Sequence, residues 1–425
     1  MTKRIAIIGG GITGLALSHF LQRKNRYKID LFEKSERMGG WIQSEEVDGQ
    51  IIEKGPRMLR SQGSGHEILD LCLDLGIQER IMKASRACKT RMLVHDSALV
   101  SFPTSIFDFV KTRLGRKFLR GILPLLFKKH EMKEDVSISA FFETRTSKSF
   151  VENFVDPLCR GIWANSPEHL SMKACLPQIL NFLEKKSLLP LFKRKKKSES
   201  FLFSLDQGLE QLILALREKS TANIHKNTQV LQLKEYQDYI ELITKERPFR
   251  VDHVFCCVPS HELQKILPEE DLAQVHLQKI KATSVLTCTF RYSTKLPHQA
   301  FGFLVPSIED KELLGVVFDS CIFGDPYGQV TVMLARGSEE FSHDEIVEFS
   351  QKKLKKYLPF DAQITHIKTH YAKNAIAQYL PGHLDTVATL ERLFEPRRIR
   401  IVGSSYYGVS VGDCIRSARL VQNNL

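Results

Sequence analysis

The residues best placed for chemistry are Gly9, Gly11 and Gly14, spaced as Gly-x-Gly-x-x-Gly behind the apolar run Ile5-Ala6-Ile7-Ile8. Four apolar residues in succession read as a strand buried on both faces, as in a parallel sheet. Leu15 to Leu21 continues as an amphipathic helix. In that setting each glycine has its own job. Gly9 permits a tight turn, Gly11 lets backbone approach a pyrophosphate, and Gly14 lets the helix pack closely on the strand. The helix N-terminus adds free N–H groups and roughly half a positive charge for phosphate. A second strand, Ile29-Asp30-Leu31-Phe32, ends at Glu33. That acid stands about twenty residues past the last glycine, the spacing of a carboxylate on a ribose hydroxyl. The pattern predicts a dinucleotide-binding βαβ unit.

Other chemistry-bearing residues are more ambiguous. Arg37, just ahead of Gly39-Gly40, could meet a phosphate or simply pair with Glu36. The nine cysteines are odd in number and form no Cys-x-x-Cys pair, which argues against a disulfide framework or a structural zinc. Cys256-Cys257 lies in an apolar strand and reads as core. A reducing, cytosolic compartment is expected, and no metal site.

The elements that must position these groups are spread along 425 residues, enough for two or three cores. Ile51-Ile52-Glu53 is a short strand breaking at Gly55-Pro56, and Gly65 to Leu75 is a helix ending before Gly76. Arg91 to Val94 and Ala98 to Val100 suit a hairpin turning at His95-Asp96-Ser97. From there to Phe201 the chain is helical, basic and proline-punctuated, as in an inserted subdomain. Asp206 is expected to cap a helix running to about Ser220. A β-meander follows over 228–251, then a buried strand at Asp252–Pro259 that returns to the first sheet. Residues 283–335 alternate apolar and polar as an antiparallel sheet. A helix from about Asp344 to Tyr357, a last buried strand at 398–405 and a terminal helix at 413–422 complete the reading. Both chain ends thus belong to the nucleotide domain. The expected divisions are 1–90, 206–262 and 391–425 for that domain, with 91–205 and 263–390 for the rest.

The net charge of +12 is concentrated in two places. From Lys111 to Lys133, basic residues including Arg113, Arg116 and Arg120 alternate with Phe109, Leu114, Phe118 and Leu125. From Lys185 to Lys197 a second basic run encloses Leu188-Leu189-Pro190-Leu191-Phe192. Such mixing suits an anionic membrane surface, or else a solvated helical face. No recognised nucleic-acid module accompanies the charge. No apolar run reaches the roughly twenty residues of a membrane span, and no signal peptide is expected ahead of the first strand.

Taken together, Gly9-x-Gly11-x-x-Gly14, Glu33-x3-Arg37-x-Gly39-Gly40, Glu53-x-Gly55-Pro56-Arg57 and the run Gly403 to Cys414 resemble the FAD-dependent protoporphyrinogen oxidases, a branch of the flavin amine-oxidase superfamily. Asp156 to Ala164, Gln207-Gly208-Leu209 and Ala377-Gln378-Tyr379-x2-Gly382-His383 resemble further segments of that branch. Ala377, Gln207 and Asn165 depart from its usual residues, and 190–200 has no counterpart.

The resemblance implies a mixed α/β fold: a Rossmann-like FAD domain, a discontinuous antiparallel-sheet substrate domain and a helical insert suited to membranes. It implies that Gly9, Gly11 and Gly14 hold the FAD pyrophosphate and Glu33 the ribose. Gly39, Gly40 and Trp41 would run beside pyrophosphate and flavin with Arg37 nearby. Gly55 and Pro56 would shape backbone at the flavin ring, and Val230 would bind adenine through its main chain. The turn at Val409 to Val411 would aim N–H groups at the flavin edge, where reduction builds negative charge. Arg91 and, second, Arg57 become candidate partners for substrate carboxylates, with a strand-edge ion pair the plainer role for Arg91. His383 reads as structural. The implied reaction oxidises protoporphyrinogen IX or coproporphyrinogen III with oxygen as acceptor. The implied setting is cytoplasmic, with room for a position on the inner face of the cell membrane, a ferrochelatase partner and a homodimer. Another flavoenzyme of the superfamily, or a flavin-binding protein without turnover, are the alternatives.

Overall fold

The computed structural model describes residues 2–103, 105–127, 132–184, 200–335 and 342–423. The basic run expected over Lys185 to Lys197 lies outside them. Contacts divide the chain into one unit of Met1–Lys83, Glu199–Lys281 and His383–Leu425, and a second of Ala84–Ser198 and Ala282–Gly382.

The first unit is built on a parallel sheet. Its strands run in the order Asn223–His225, Tyr27–Phe32, Lys3–Ile8, His253–Cys256, Ile399–Ile401. The uninterrupted apolar run at the N-terminus is explained by its two faces. Ile5 and Ile7 enter one core with Leu15, Phe20 and Leu71, while Ala6 and Ile8 enter another with Phe32, Leu263 and Phe394. The strand from residue 399 pairs with His253–Cys256, so both chain ends share the sheet. Asp30 is a charged residue in this sheet, 1% exposed. Burial opposes its ionisation, yet hydrogen bonds from Arg4, His225 and Asn223 hold its carboxyl below the usual range.

Two expectations about this unit are revised. The helix expected from Asp206 begins at Glu210 and has no capping side chain of its own. Gly208 turns at a φ of +87°, and the carboxylate of Glu53 accepts the N–H of Leu209 at 2.7 Å instead. The unit boundaries also differ from those expected. Leu263, Ile266, Ala273, Leu277 and Ile280 bury beside Phe32 and Val254, which brings residues up to 281 into the parallel-sheet unit. Ser85, in contrast, donates from N and Oγ to the carbonyls of Ile322 and Cys321, tying residues from 84 onward to the other unit.

The second unit carries a seven-stranded sheet in the order Ile364–Gln378, Lys281–Tyr292, Gln329–Leu334, Leu313–Val317, Gly302–Leu304, Met92–His95, Ala98–Ser101. Gly302–Leu304 and Met92–His95 pair in parallel. The hairpin turns through Asp96 and Ser97, both at positive φ, a geometry that matches strand twist. One face is apolar, with Cys288, Phe290, Val330, Val332 and Phe303 in a single core. Thr287, Thr289 and Thr331 alternate onto the other. The strand Ile364–Gln378 and the helix His383–Phe394 were not anticipated. The strand lies at the sheet edge and is half-buried along most of its length, so Lys and His interrupt the alternation that would mark it.

The helical insert spends part of its apolar surface on an internal aromatic cluster and leaves Phe107, Val110 and Leu123 exposed. Phe118 packs against Phe102, Phe150 and Phe154 at centroid distances of 5.5, 5.6 and 5.2 Å. Leu114 and Leu125 are buried on the same helix, Arg113–Phe127, while Arg113, Arg116 and Arg120 are exposed. Part of its amphipathicity is thus accounted for by an internal aromatic cluster. No helix among the described residues is long and apolar enough to cross a membrane.

His19 gives the parallel-sheet unit an acid sensitivity. It is 6% exposed, and neither ring nitrogen has a hydrogen-bond partner. Burial lowers its pKa below 6.5; Asp74 opposes that, and Arg23, Lys219 and Arg419 add to it. A group with a depressed folded pKa favours folding above its unfolded pKa and opposes it as pH falls further. Stability should therefore decline as pH drops below about 6.5. His19→Leu should flatten that decline in denaturant melts taken from about pH 7 to pH 5. An unchanged slope would show that His19 does not cause it.

Candidate functional site

The turn after the first strand is set by backbone proximity. Gly9 sits at a φ of +108° and donates its N–H to the Phe32 carbonyl at 2.8 Å. A Cβ on Gly14 would overlap the Gly9 carbonyl oxygen, so only glycine lets the helix Ile12–Gln22 descend this far. Gly11 is the N-cap of that helix, in an extended conformation, with no capping side chain and no acid in the first turn. Its first N–H groups therefore receive no hydrogen bond from a side-chain cap. A Cβ on Gly11 would meet only the Cα of Gly40, at 3.8 Å. Gly39 donates to the Gly10 carbonyl at 2.8 Å and bridges to Gly11. Two glycine segments thus lie side by side at the open helix start, the candidate cofactor cleft.

The surrounding residues frame this cleft. Glu33 accepts from Gly10 N at 2.8 Å and from Ser35 N and Oγ at 2.9 and 2.8 Å. An ionised carboxylate has about four acceptor positions, so this one keeps capacity for a hydroxyl. Thr228 donates its N–H to the Glu33 carbonyl at 2.9 Å, and Val230, two residues on, is buried in the core that holds Phe32. Gly403, at a φ of +106°, lies against the Thr13 hydroxyl. Val411 and Cys414 share a core with Ile12, so the terminal helix Val411–Asn423 starts beside the first helix. Val409 lies in the bend before it. There Ser410 accepts from Asp413 N at 3.1 Å, and Arg416 pairs with the Asp413 carboxylate at 3.0 Å.

Arg37 does not take the pairing with Glu36. Its guanidinium donates to the carbonyls of Met38 and Ile42, both at 2.9 Å, and to that of Gly40. It approaches Glu210 at 3.6 Å, not Glu36. It braces the loop from inside. Trp41 at the loop tip is 40% exposed, and a Cβ on Gly55 would overlap its carbonyl oxygen. Pro56 and Arg57 follow, both half-buried.

Arg57 lies in the first unit and Arg91 in the second. Arg91 is exposed just before the strand Met92–His95, its guanidinium 5.7 Å from the ring centre of Phe301. The helix Asp156–Trp163 in that unit is a clamp. Asp156 accepts from Ser307 N at 2.7 Å, and burial pushes its carboxyl up. Arg160 donates to the carbonyls of Val305, Asp310 and Lys311 at 2.8, 3.0 and 2.7 Å. Gln378 joins Trp163 and Asn165 at 2.9 and 2.8 Å. Asp135, which no sequence pattern singled out, accepts from the Ser171 hydroxyl and from Gly382 N. The ring of His383 lies 3.2 Å from the Tyr406 carbonyl, a structural contact.

The uncapped helix start, the facing glycines and the acid at Glu33 suit a dinucleotide pyrophosphate and its ribose. Residues 12–421 match the flavin containing amine oxidoreductase family. The chain belongs to that family. It is 30% identical over 465 residues to protoporphyrinogen oxidase of Homo sapiens, covering 99% of this chain and 97% of the relative. It is 25% identical over 464 residues to coproporphyrinogen III oxidase of Staphylococcus aureus, covering 99% and 98%. A crystal structure of a protein from Exiguobacterium sp. 255-15 shares the fold with a TM-score of 0.85 at 22% identity, covering 100% of this chain and 98% of the other. This flavin-dependent oxidoreductase falls in the branch of the two porphyrinogen oxidases, and its cofactor is FAD.

Two glycine variants of this flavoenzyme should separate fold from cofactor. Gly11→Ala places its methyl in the cleft with only Gly40 nearby, so it should fold but lose at least about tenfold in FAD affinity. Gly14→Ala meets rigid backbone and should destabilise the protein by roughly 3 kcal/mol or more. Thermal melts and bound-flavin absorbance check both. Equal flavin content in wild type and Gly11→Ala would remove Gly11 from the site.

Proposed function

We propose that the protein catalyses the six-electron oxidation of protoporphyrinogen IX to protoporphyrin IX, with oxygen as electron acceptor. The observation that carries this reading is full-length similarity to porphyrinogen oxidases together with an intact FAD cradle. Coproporphyrinogen III is the second reading, favoured by the similarity to the staphylococcal enzyme.

When bound, FAD supplies a ring that accepts hydride from the substrate. The chain's own part is to bind, orient and shield. Gly11 and Gly40 leave room for the pyrophosphate, and Glu33 takes the ribose. The N–H groups at Val409 to Val411 counter negative charge on the flavin edge. Arg91 pairs with a propionate carboxylate through its planar fork, with Arg57 as the second candidate. A porphyrinogen has weak C–H bonds at its methylene bridges, and a pyrrole N–H releases the accompanying proton. Orientation and exclusion of water are therefore the main demands on the protein.

Anaerobic mixing tests the substrate. Protoporphyrinogen should bleach the flavin faster than coproporphyrinogen, and amines should leave it unchanged. Faster bleaching by coproporphyrinogen would reverse the assignment between the two. Bleaching by amines alone would overturn both.

The setting we propose is cytoplasmic, with the protein resting on the inner face of the cell membrane. Its support is the stripe of Arg113, Arg116 and Arg120 near the exposed Phe107, Val110 and Leu123. At low salt the protein should sediment with anionic liposomes and leave neutral ones, and Arg116→Glu with Arg120→Glu should abolish this. Retention of the wild type in the supernatant would count against the membrane position. A ferrochelatase partner and a homodimer fit the same reading.

A further inference from the structure

The search for chemistry outside the cleft leads to the buried carboxylate of Glu53. It lies at the end of the strand Gln50–Glu53, opposite Ser44 of the strand Ser44–Val47, and is 8% exposed. Its Oε1 accepts the N–H of Leu209, at the start of the helix Glu210–Glu218, at 2.7 Å. Its Oε2 accepts the Ser44 hydroxyl at 2.9 Å. Ser44 Oγ in turn accepts the N–H of Glu210 at 3.1 Å, and Glu210 Oε2 accepts the N–H of Ser44 at 3.1 Å. The other oxygen of Glu210 faces Arg37 at 3.6 Å, and Arg37 holds the carbonyls of Met38, Gly40 and Ile42.

We infer that Glu53 is a positioning residue for the FAD site: through Ser44, Glu210 and Arg37 it fixes the loop carrying Gly39, Gly40 and Trp41 against the turn at Gly11. The inference rests on that loop lining the cofactor. The physical basis is twofold. A carboxylate at a helix N-terminus is favoured by the helix dipole and by its unpaired N–H groups. Around the buried Glu53, a part-buried network in which every member is bonded favours one arrangement, because alternatives leave the buried carboxylate unpaired. Space around the network is tight. A Cβ on Gly208 would strike the Ser44 hydroxyl, and one on Gly39 would stand 3.2 Å from Ile213. Glu53 lies two residues before Gly55, whose backbone meets Trp41, so strand and loop are held at both ends.

Glu53→Gln keeps the shape and loses the charge, and Ser44→Ala breaks the relay one step further on. For both variants, melting temperatures of apo and FAD-loaded protein are compared, and FAD dissociation is followed by released flavin fluorescence. The shift that FAD produces should shrink, with FAD affinity falling about tenfold for Glu53→Gln and less for Ser44→Ala. A purely structural role would lower apo and loaded melting temperatures together and leave the FAD-induced shift and affinity at wild-type values. That result in both variants overturns the inference, and Ser44→Ala alone decides if Glu53→Gln does not fold. Wild-type protein that gains no stability from FAD would instead refute the cofactor reading.

Discussion

The carbonyl oxygen of Gly9 stands where a side chain on residue 14 would begin, and much of the parallel-sheet unit follows from that contact. Because the first helix descends so far onto the first strand, its N-terminus opens directly at the strand end. Thr13 then meets Gly403, and Ile12 meets Val411. A sequence separation of almost the whole chain is closed at this point. Gly11 is left with a neighbour that has no side chain either, so a methyl there would meet only the Cα of Gly40 and would occupy space that an incoming ligand could use. The helix start has no carboxylate of its own, so its partial charge remains for an anionic ligand.

Close backbone packing requires that the flanking charges be handled locally. Asp30 is surrounded by Arg4, His225 and Asn223, and Glu53 draws on a helix N-terminus and a hydroxyl. In the other unit Arg160 is buried against three carbonyls, and Asp310 is held ionised by Lys353 despite its burial. These groups look like candidates for catalysis in a sequence, since buried charge clusters at active sites. Here they are occupied in holding loops. An arginine whose donors are spent on three carbonyls has few left for a substrate.

The cleft was legible because its logic is local. Glycine spacing, an apolar run and an acid at the right distance each report on a few neighbouring residues. The hairpin through Asp96 and Ser97 and the helix Gly65–Leu75 were legible for the same reason. What the sequence concealed was carried by long-range pairing. Glu53 caps a helix that begins 157 positions later, counting from 53 to 210, and nothing near Asp206 signals that its own cap is not used. Arg37 could be placed beside phosphate or Glu36 by proximity, but folding hands it three carbonyls and Glu210. The edge strand Ile364–Gln378 is hidden by its polar residues, which an edge tolerates and a central strand does not. The basic helical insert is a divided case: its amphipathic pattern was evident, but the pattern could not say which apolar residues, such as Phe118, pack inward and which, such as Leu123, stay exposed.

A cofactor cleft of this kind binds FAD without choosing what FAD oxidises, and one fold can host many reactions. Choice must then come from groups that meet the substrate's periphery. The two porphyrinogens under consideration have the same reactive methylene bridges and differ in carboxylate number. Bringing an extra carboxylate into a poorly hydrated site is costly unless a cation or several donors await it. An apolar pocket therefore excludes the more acidic ring by desolvation alone, whereas a site built around paired cations penalises the less acidic one by leaving a charge unmatched. Arg91, the proposed propionate partner, stands exposed at a strand end with its guanidinium 5.7 Å from the Phe301 ring centre. Arg160 and Lys353 are engaged elsewhere. Discrimination between the two rings thus turns on the charge that meets their periphery, and not on the flavin that both would reduce.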